Sequence, residues 1–195
     1  MNRAFSLGGV VASIVLIAFG LGAIIVGATG RSDVTEQIKQ EQITGSPDMS
    51  PEGIRPGIEE ADLKVEAPSC DVADQRIDSG SKAKCFAEYL RVHALEATGG
   101  RVYSQMGQFL TASGEETSDA AKAAKDPKTD RPVPNAARNV WVTATALSTA
   151  LNTSYFAQQV ALFSIVMGIA LLLTGIGFLV LTLGARRAGA GGPNA

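Results

Sequence analysis

The side chains able to do chemistry are few. His93 is the sole histidine, with Glu88 and Glu96 a turn or so away along the same segment. An imidazole beside a carboxylate is the minimum for general-base work. One histidine excludes any site in a single chain that needs two, including the two-histidine, one-carboxylate iron centre. The plainer reading of His93 is an exposed or hydrogen-bonded helix residue.

Cys70 and Cys85 are the only cysteines. They lack the CxxC spacing and adjacent histidine of a metal pair, and the segment around them reads as extracytoplasmic, so they are expected to form a disulfide. Closing that loop is worth roughly 3 kcal/mol on the chain-entropy estimate. The acidic clusters Glu59, Glu60, Asp62 and Glu115, Glu116, Asp119 lack the ordered D-x-D-x-D-G pattern of a calcium loop, and solvated surface is the simpler account. No nucleophile elbow, P-loop, HExxH or dinucleotide fingerprint is present. No catalytic, metal or cofactor-binding residue is therefore assigned. Asn152-Thr153-Ser154 matches a glycosylation sequon within a continuous helical pattern close to the second apolar run, a place where the match carries little weight.

The elements that must position these residues are dominated by charge segregation. All 19 acidic residues fall between Asp33 and Asp130, while residues 7–30 and 139–185 hold no Asp, Glu, Lys or Arg. The apolar runs 6–29 and 160–183 each make a helix of about 36 Å, enough to cross a hydrocarbon core about 30 Å thick. Only Ser164, Thr174 and Thr182 carry hydroxyls in the second run, and a helix satisfies these on its own carbonyls. No ionisable group sits mid-span, which argues against a proton or ion pathway.

The expected class is thus a mainly α membrane protein, with two transmembrane helices flanking a small, partly irregular helical extracytoplasmic domain. Its parts are a tail at 1–5, a first span at 6–29, the ectodomain at 30–158, a second span at 159–184 and a tail at 185–195. Arg3, Arg186 and Arg187 put basic residues on both short tails, which marks the tails as cytoplasmic and the acidic middle as outside. Arg31 opposes that pattern alone. A cleaved signal peptide is the alternative for the first span, with Val26 and Ala28 small enough for a cleavage site, although the run is long for an h-region. The expected partners are the lipid bilayer and either a membrane-protein partner or further copies of the chain, with no nucleic acid.

Within the ectodomain, Val34 and Ile38 extend the first helix outward over 34–43, until Gly45, Pro47 and Pro51 stop it. Residues 51–68 read mostly as loop, with a short helix at 57–63. Cys85, Phe86, Tyr89, Leu90, Val92 and Leu95 give a central helix at 80–98, ended by Gly99-Gly100. Thr117 or Ser118 is placed to cap a short Ala/Lys helix before Asp126-Pro127. Asn135 reads as the N-cap of a helix running from 135–158 on through the second span, about 70 Å in all. Its outer stripe of Val140, Ala144, Leu147, Leu151 and Tyr155 should bury against another helix, either the extension of the first span or a second subunit. Inside the membrane the small pairs Ala18/Gly22 and Ala23/Gly27, and Ser164/Gly168 with Gly175, are expected to mediate close helix packing.

The segments CFAEYLRVHALEATGGRVYSQMGQFL and PVPNAARNVWVTATALSTALNTSYFAQQVALF resemble a family of bacterial two-transmembrane-helix proteins of uncharacterised activity. In that family an HALEATGG-like stretch precedes a tyrosine and a second membrane helix follows. The resemblance implies architecture rather than activity. Some members are labelled aromatic ring-opening dioxygenase, a chemistry for which one histidine cannot supply the iron ligands. Within these segments His93, Gly99, Gly100, Arg101 and Tyr103 are the candidate recognition segment, since a Gly-Gly helix end followed by an aromatic cluster can form a binding surface, and helix termination with core packing explains them equally well.

The expected function is a non-enzymatic envelope protein whose ectodomain binds, scaffolds or regulates a membrane partner or envelope component. The alternative is a membrane-bound hydrolase or transferase using His93 and nearby carboxylates.

Overall fold

The computed structural model describes residues 3–190. The order of elements is α1 (Arg3–Gln40), α2 (Arg55–Glu60), α3 (Gly80–Ala97), a 3-10 turn (Tyr103–Gln105), β1 (Phe109–Leu110), β2 (Glu116–Thr117) and α4 (Ala136–Ala190). The protein is mainly helical, and α1 and α4 are both long and apolar enough to cross a membrane. It divides into two units, Met1–Val34 with Phe156–Ala195, and Thr35–Tyr155.

In the first unit the two apolar helices run antiparallel along a seam of small residues. A methyl group added at Gly20 would lie 2.7 Å from the Leu172 backbone nitrogen, at Gly27 2.6 Å from the Ala161 carbonyl oxygen, and at Gly168 2.7 Å from the Gly20 carbonyl oxygen. At Gly175 it would crowd Ile17, and at Gly9 the Thr182 hydroxyl. Only hydrogen at these positions allows the backbones to approach so closely. The buried small residues are Ser13, Gly20 and Gly27 on α1 and Ala161, Gly168 and Gly175 on α4, spaced by sevens on both helices. A seven-residue repeat keeps a seam in register with left-handed supercoiling.

Of the small residues singled out in the sequence, Gly27, Gly168 and Gly175 stand in this seam, spaced by seven rather than by four. Ala18 and Gly22 are exposed, and a methyl group on Gly22 would meet open space. Ala23 and Ser164 are half-buried at the margin. The remaining outer surface is apolar, with Leu7, Phe19, Ile25, Phe163, Leu173 and Leu181 all more than half exposed.

In the second unit α3 is the central element. Ser79 caps it by accepting the Lys82 amide, and Ala83, Cys85, Ala87, Tyr89, Val92, Ala94 and Leu95 are buried along it. Loops supply the rest of the core through Met49, Ile54, Val72 and Ile77, fastened by an isolated bridge between Thr44 and Arg76. α2 begins earlier than the sequence suggests, because Pro56 in its first turn fixes a helical φ. It also ends before Leu63, where Asp62 adopts φ 47°.

The expected Ala/Lys helix after Ser118 does not form. Thr117 Oγ1 accepts the Asp119 amide and Asp119 Oδ1 accepts the Ala121 amide, so local side chains take the amides that a helix would use. Ala124 instead donates to Leu110 O and Val133 donates to Ala124 O. This irregular segment lies beside the antiparallel β1–β2 pair, which has Phe109 opposite Thr117.

The outer part of α4 packs on α3. Arg91 covers the Trp141 ring at 5.4 Å and Lys84 the Tyr155 ring at 5.2 Å. Trp141, Ala144 and Leu151 are buried, whereas Val140 and Leu147 remain 43% and 42% exposed. The stripe read as one apolar face is therefore two. Around Trp141 and Ala144 the buried side meets α3.

Candidate functional site

The C-terminal third of α3 is tied to a distant loop. His93 Nε2 lies 2.9 Å from Asp48 Oδ2, and the Ser46 hydroxyl donates to Asp48 Oδ1 at 2.5 Å. The His93 side chain is 26% exposed and that of Asp48 48%. The Ser46 hydroxyl, and behind it His93, hold the Asp48 carboxyl below its ordinary value.

The order of these three groups decides what they can do. In a nucleophile relay the imidazole stands between hydroxyl and carboxylate. Here the carboxylate stands in the middle, so His93 is not placed to take the Ser46 proton. Glu88 faces Lys84 at 3.9 Å, and the Glu96 carboxylate occupies the space a side chain on Gly57 would need. The structure thus brings His93 together with Asp48, and its two sequence neighbours point to other partners.

The C-terminal end of α3 is closed by its own backbone. Gly100 N donates to Leu95 O at 2.8 Å, and Gly99 and Gly100 adopt φ 61° and 74°, which suit glycine in a left-handed helix stop. The buried Thr98 hydroxyl sits 2.8 Å from Ala94 O and 2.7 Å from Arg101 O. This turn aims Arg101 at Glu116, with Nη1 to Oε2 at 2.8 Å.

Glu116 is a hub. Besides Arg101 it accepts the Gly107 amide at 3.0 Å and the Asn135 side-chain amide at 2.9 Å. The Gly107 amide first, then Asn135 and Arg101, hold its carboxyl below the ordinary range. Asn135 is 4% exposed and caps α4 by accepting the Ala137 amide. The α3 exit, the β1–β2 segment and the α4 entrance therefore meet on one carboxylate. Reading Glu115, Glu116 and Asp119 as one solvated cluster misses this, since Glu116 alone turns inward while Glu115 and Asp119 stay exposed.

Tyr103 is 44% exposed, with the Arg138 guanidinium 3.8 Å over its ring. Arg138 Nε is buried without a hydrogen-bond partner. The recognition segment is accordingly divided, with His93 on the Asp48 loop, Arg101 on Glu116 and Tyr103 under Arg138. No sequence signal marks Asp48 or Ser46, which lie in a loop far from α3 in the chain.

Cys70 and Cys85 form a disulfide with an S–S distance of 2.03 Å. Beside it the Tyr89 hydroxyl donates to Cys70 O at 2.5 Å, and burial pushes the phenol above its ordinary value. Among the described residues no group of three His, Cys, Asp or Glu is placed to hold a metal ion.

Two clefts flank the α3–α4 contact. One of about 230 Å³ is lined by Glu88, Arg91, Trp141, Ser148 and Asn152 among others. A shallower groove of about 400 Å³ runs along Leu90, Val140, Thr143 and Leu147. His93 lines neither. No protein-family model, curated protein or solved structure matches this chain.

Proposed function

We propose that this is a non-enzymatic membrane protein of the cell envelope that crosses the bilayer twice and displays its central region outside to bind, scaffold or regulate a membrane partner. The basic residues Arg3, Arg186 and Arg187 on the two tails support cytoplasmic termini. The disulfide between Cys70 and Cys85 fits an oxidising compartment for the region between the spans.

The observation that carries the reading is the outer face of α4, where Val140 and Leu147 are exposed on a stretch without a charged residue. An apolar helix face standing clear of a membrane is a contact surface in need of a partner. The groups with chemical potential, by contrast, are taken up by bonds that hold the ectodomain together. Glu116 serves three donors at once, and His93 is joined to the Asp48 carboxylate. The resemblance carried by the HALEATGG segment adds architecture and no activity.

The test is capture of the full-length protein from native membranes in mild detergent, with His93→Ala as control. A stoichiometric companion retained by the control supports the scaffold. A lone monomer, or loss of hydrolytic activity confined to the His93→Ala protein, contradicts it.

A further inference from the structure

We infer that Glu88 shields the Cys70–Cys85 disulfide electrostatically, slowing its reduction by thiols that carry a carboxylate relative to thiols that carry an ammonium group. The inference concerns chemistry at the bond itself and stands apart from the partner-binding reading above.

The two sulfurs differ in access. Cys85 is 5% exposed on the inner side of α3, whereas Cys70 sits half-buried in the loop before it. Thiol–disulfide exchange begins when a thiolate attacks one sulfur and expels the other, and access decides which is attacked. Here the attacker bonds to Cys70 Sγ, the bond to Cys85 breaks with its electron pair, and Cys85 leaves as a thiolate. A second thiolate then attacks the mixed disulfide at the small molecule's sulfur. That step releases Cys70 as a thiolate and carries away the oxidised thiol.

The attacked sulfur lies in a negative surround. Glu88 Oε2 stands 3.9 Å from Cys70 Sγ. That sulfur is bonded to Cys85 and has no proton to give, so the contact sets a carboxylate beside the point of attack without a hydrogen bond between them. Asp71, the next residue in the chain, is exposed. The Tyr89 hydroxyl rests on Cys70 O, and its surroundings point the same way. After burial, the groups that raise the phenol are Asp71, Glu52 and Glu88, all of them acidic. Lys84 answers part of this charge from 3.9 Å away, at the other oxygen of Glu88. Both of those side chains are nearly half exposed, so water screens the field without abolishing it.

Two like unit charges about 4 Å apart in water repel by about 1 kcal/mol, which is about fivefold in rate at about 1.4 kcal/mol per tenfold. Every attacking thiolate feels part of this. A carboxylate elsewhere on the attacker adds to the repulsion, and an ammonium group offsets it. Thiols of the glutathione type, which bear carboxylates, therefore react slowly at a bond whose accessible sulfur is otherwise open to them.

The experiment reduces the full-length protein in a non-ionic detergent, at one pH, with mercaptopropionate, mercaptoethanol or cysteamine. The rate is followed by alkylation of the released thiols, and each thiol is compared with itself across variants. Glu88→Gln is expected to speed mercaptopropionate by about fivefold, mercaptoethanol by less and cysteamine least. Lys84→Gln is expected to shift the three rates in the opposite sense. Asp71→Asn, in the loop outside α3, is expected to repeat the order of the Glu88→Gln gains at smaller size, and serves if Glu88→Gln fails to fold. Added salt should narrow the spread between thiols in the unaltered protein. An equal gain for all three thiols, or no gain, overturns the inference. A rate that does not rise with thiol concentration also overturns it, since the bond is then reached only after the fold opens.

Discussion

His93 and Asp48, 45 residues apart in sequence, meet through Nε2 and Oδ2 at 2.9 Å and fasten the loop after α1 to the C-terminal third of α3. Because the second carboxylate oxygen accepts Ser46, three groups from two segments share one anion. This is the geometry of a clasp.

The clasp has a pH signature. Asp48 titrates below its ordinary 3.8 in the folded protein, so the fold favours its charged form. The stabilisation is fully present above the ordinary carboxylate pKa and is lost as pH falls through the depressed one. Thermal melts of the detergent-solubilised protein below about pH 4 should show a loss of stability that Asp48→Asn shares far less. Since the pair is partly exposed, Ser46→Ala should cost no more than about 1 kcal/mol near neutrality.

Glu116 predicts a larger effect. Its replacement by Ala strands the Gly107 amide and leaves the buried Asn135 side-chain amide with only its bond to Gly107 O at 3.1 Å, and an unpaired donor of this kind costs about 1–3 kcal/mol. Glu115→Ala, one residue away and exposed, should leave the melting midpoint nearly unchanged. Equal effects for the two variants would remove the hub from the account.

The membrane seam separates two glycines on α1. Gly20→Val should weaken helix packing by about 1–3 kcal/mol through overpacking, because backbone atoms of α4 stand where its side chain must go. Gly22→Val meets open space and should be tolerated. The readout is the temperature at which each detergent-solubilised variant loses its native fluorescence.

Reduction of the Cys70–Cys85 bond, or the double replacement by serine, should lower stability by roughly 3 kcal/mol on the loop-entropy estimate. The comparison of melts with and without reductant checks it. No change on reduction would mean that the segment before α3 is held by Tyr89 and its neighbours alone.

What the sequence discloses and what it hides differ by the range of the forces involved. The apolar helices are legible because a charge-free run long enough to cross a bilayer has few other uses. α3 is legible from its apolar pattern and its C-terminal end, where Gly99-Gly100 supplies standard stop chemistry, while the Ser79 cap shows only in the structure. The disulfide follows from there being two cysteines and no metal spacing.

The seam between α1 and α4 is legible in part, because the small-residue pattern names Gly27, Gly168 and Gly175, while a four-residue rule also selects the exposed Ala18 and Gly22 where these antiparallel helices repeat by seven. Asp48 is hidden more deeply, since nothing near it in sequence points to His93. The Ala/Lys segment after Ser118 misleads because helix propensity is a weak prior, overridden by the Thr117 and Asp119 side chains and by pairing with the β1 region. The face of α4 that meets α3 is shifted by Trp141, whose large ring decides which side turns inward.

The central claim is that the region between the two apolar helices lies outside the cell while both ends lie inside, and site-directed labelling tests it most directly. A membrane-impermeant maleimide applied to intact cells should modify Ser118→Cys, an exposed position, whereas a C-terminal tag should become accessible to protease only after lysis. Labelling of Ser118→Cys only after lysis, or a tag cleaved in intact cells, would contradict the account.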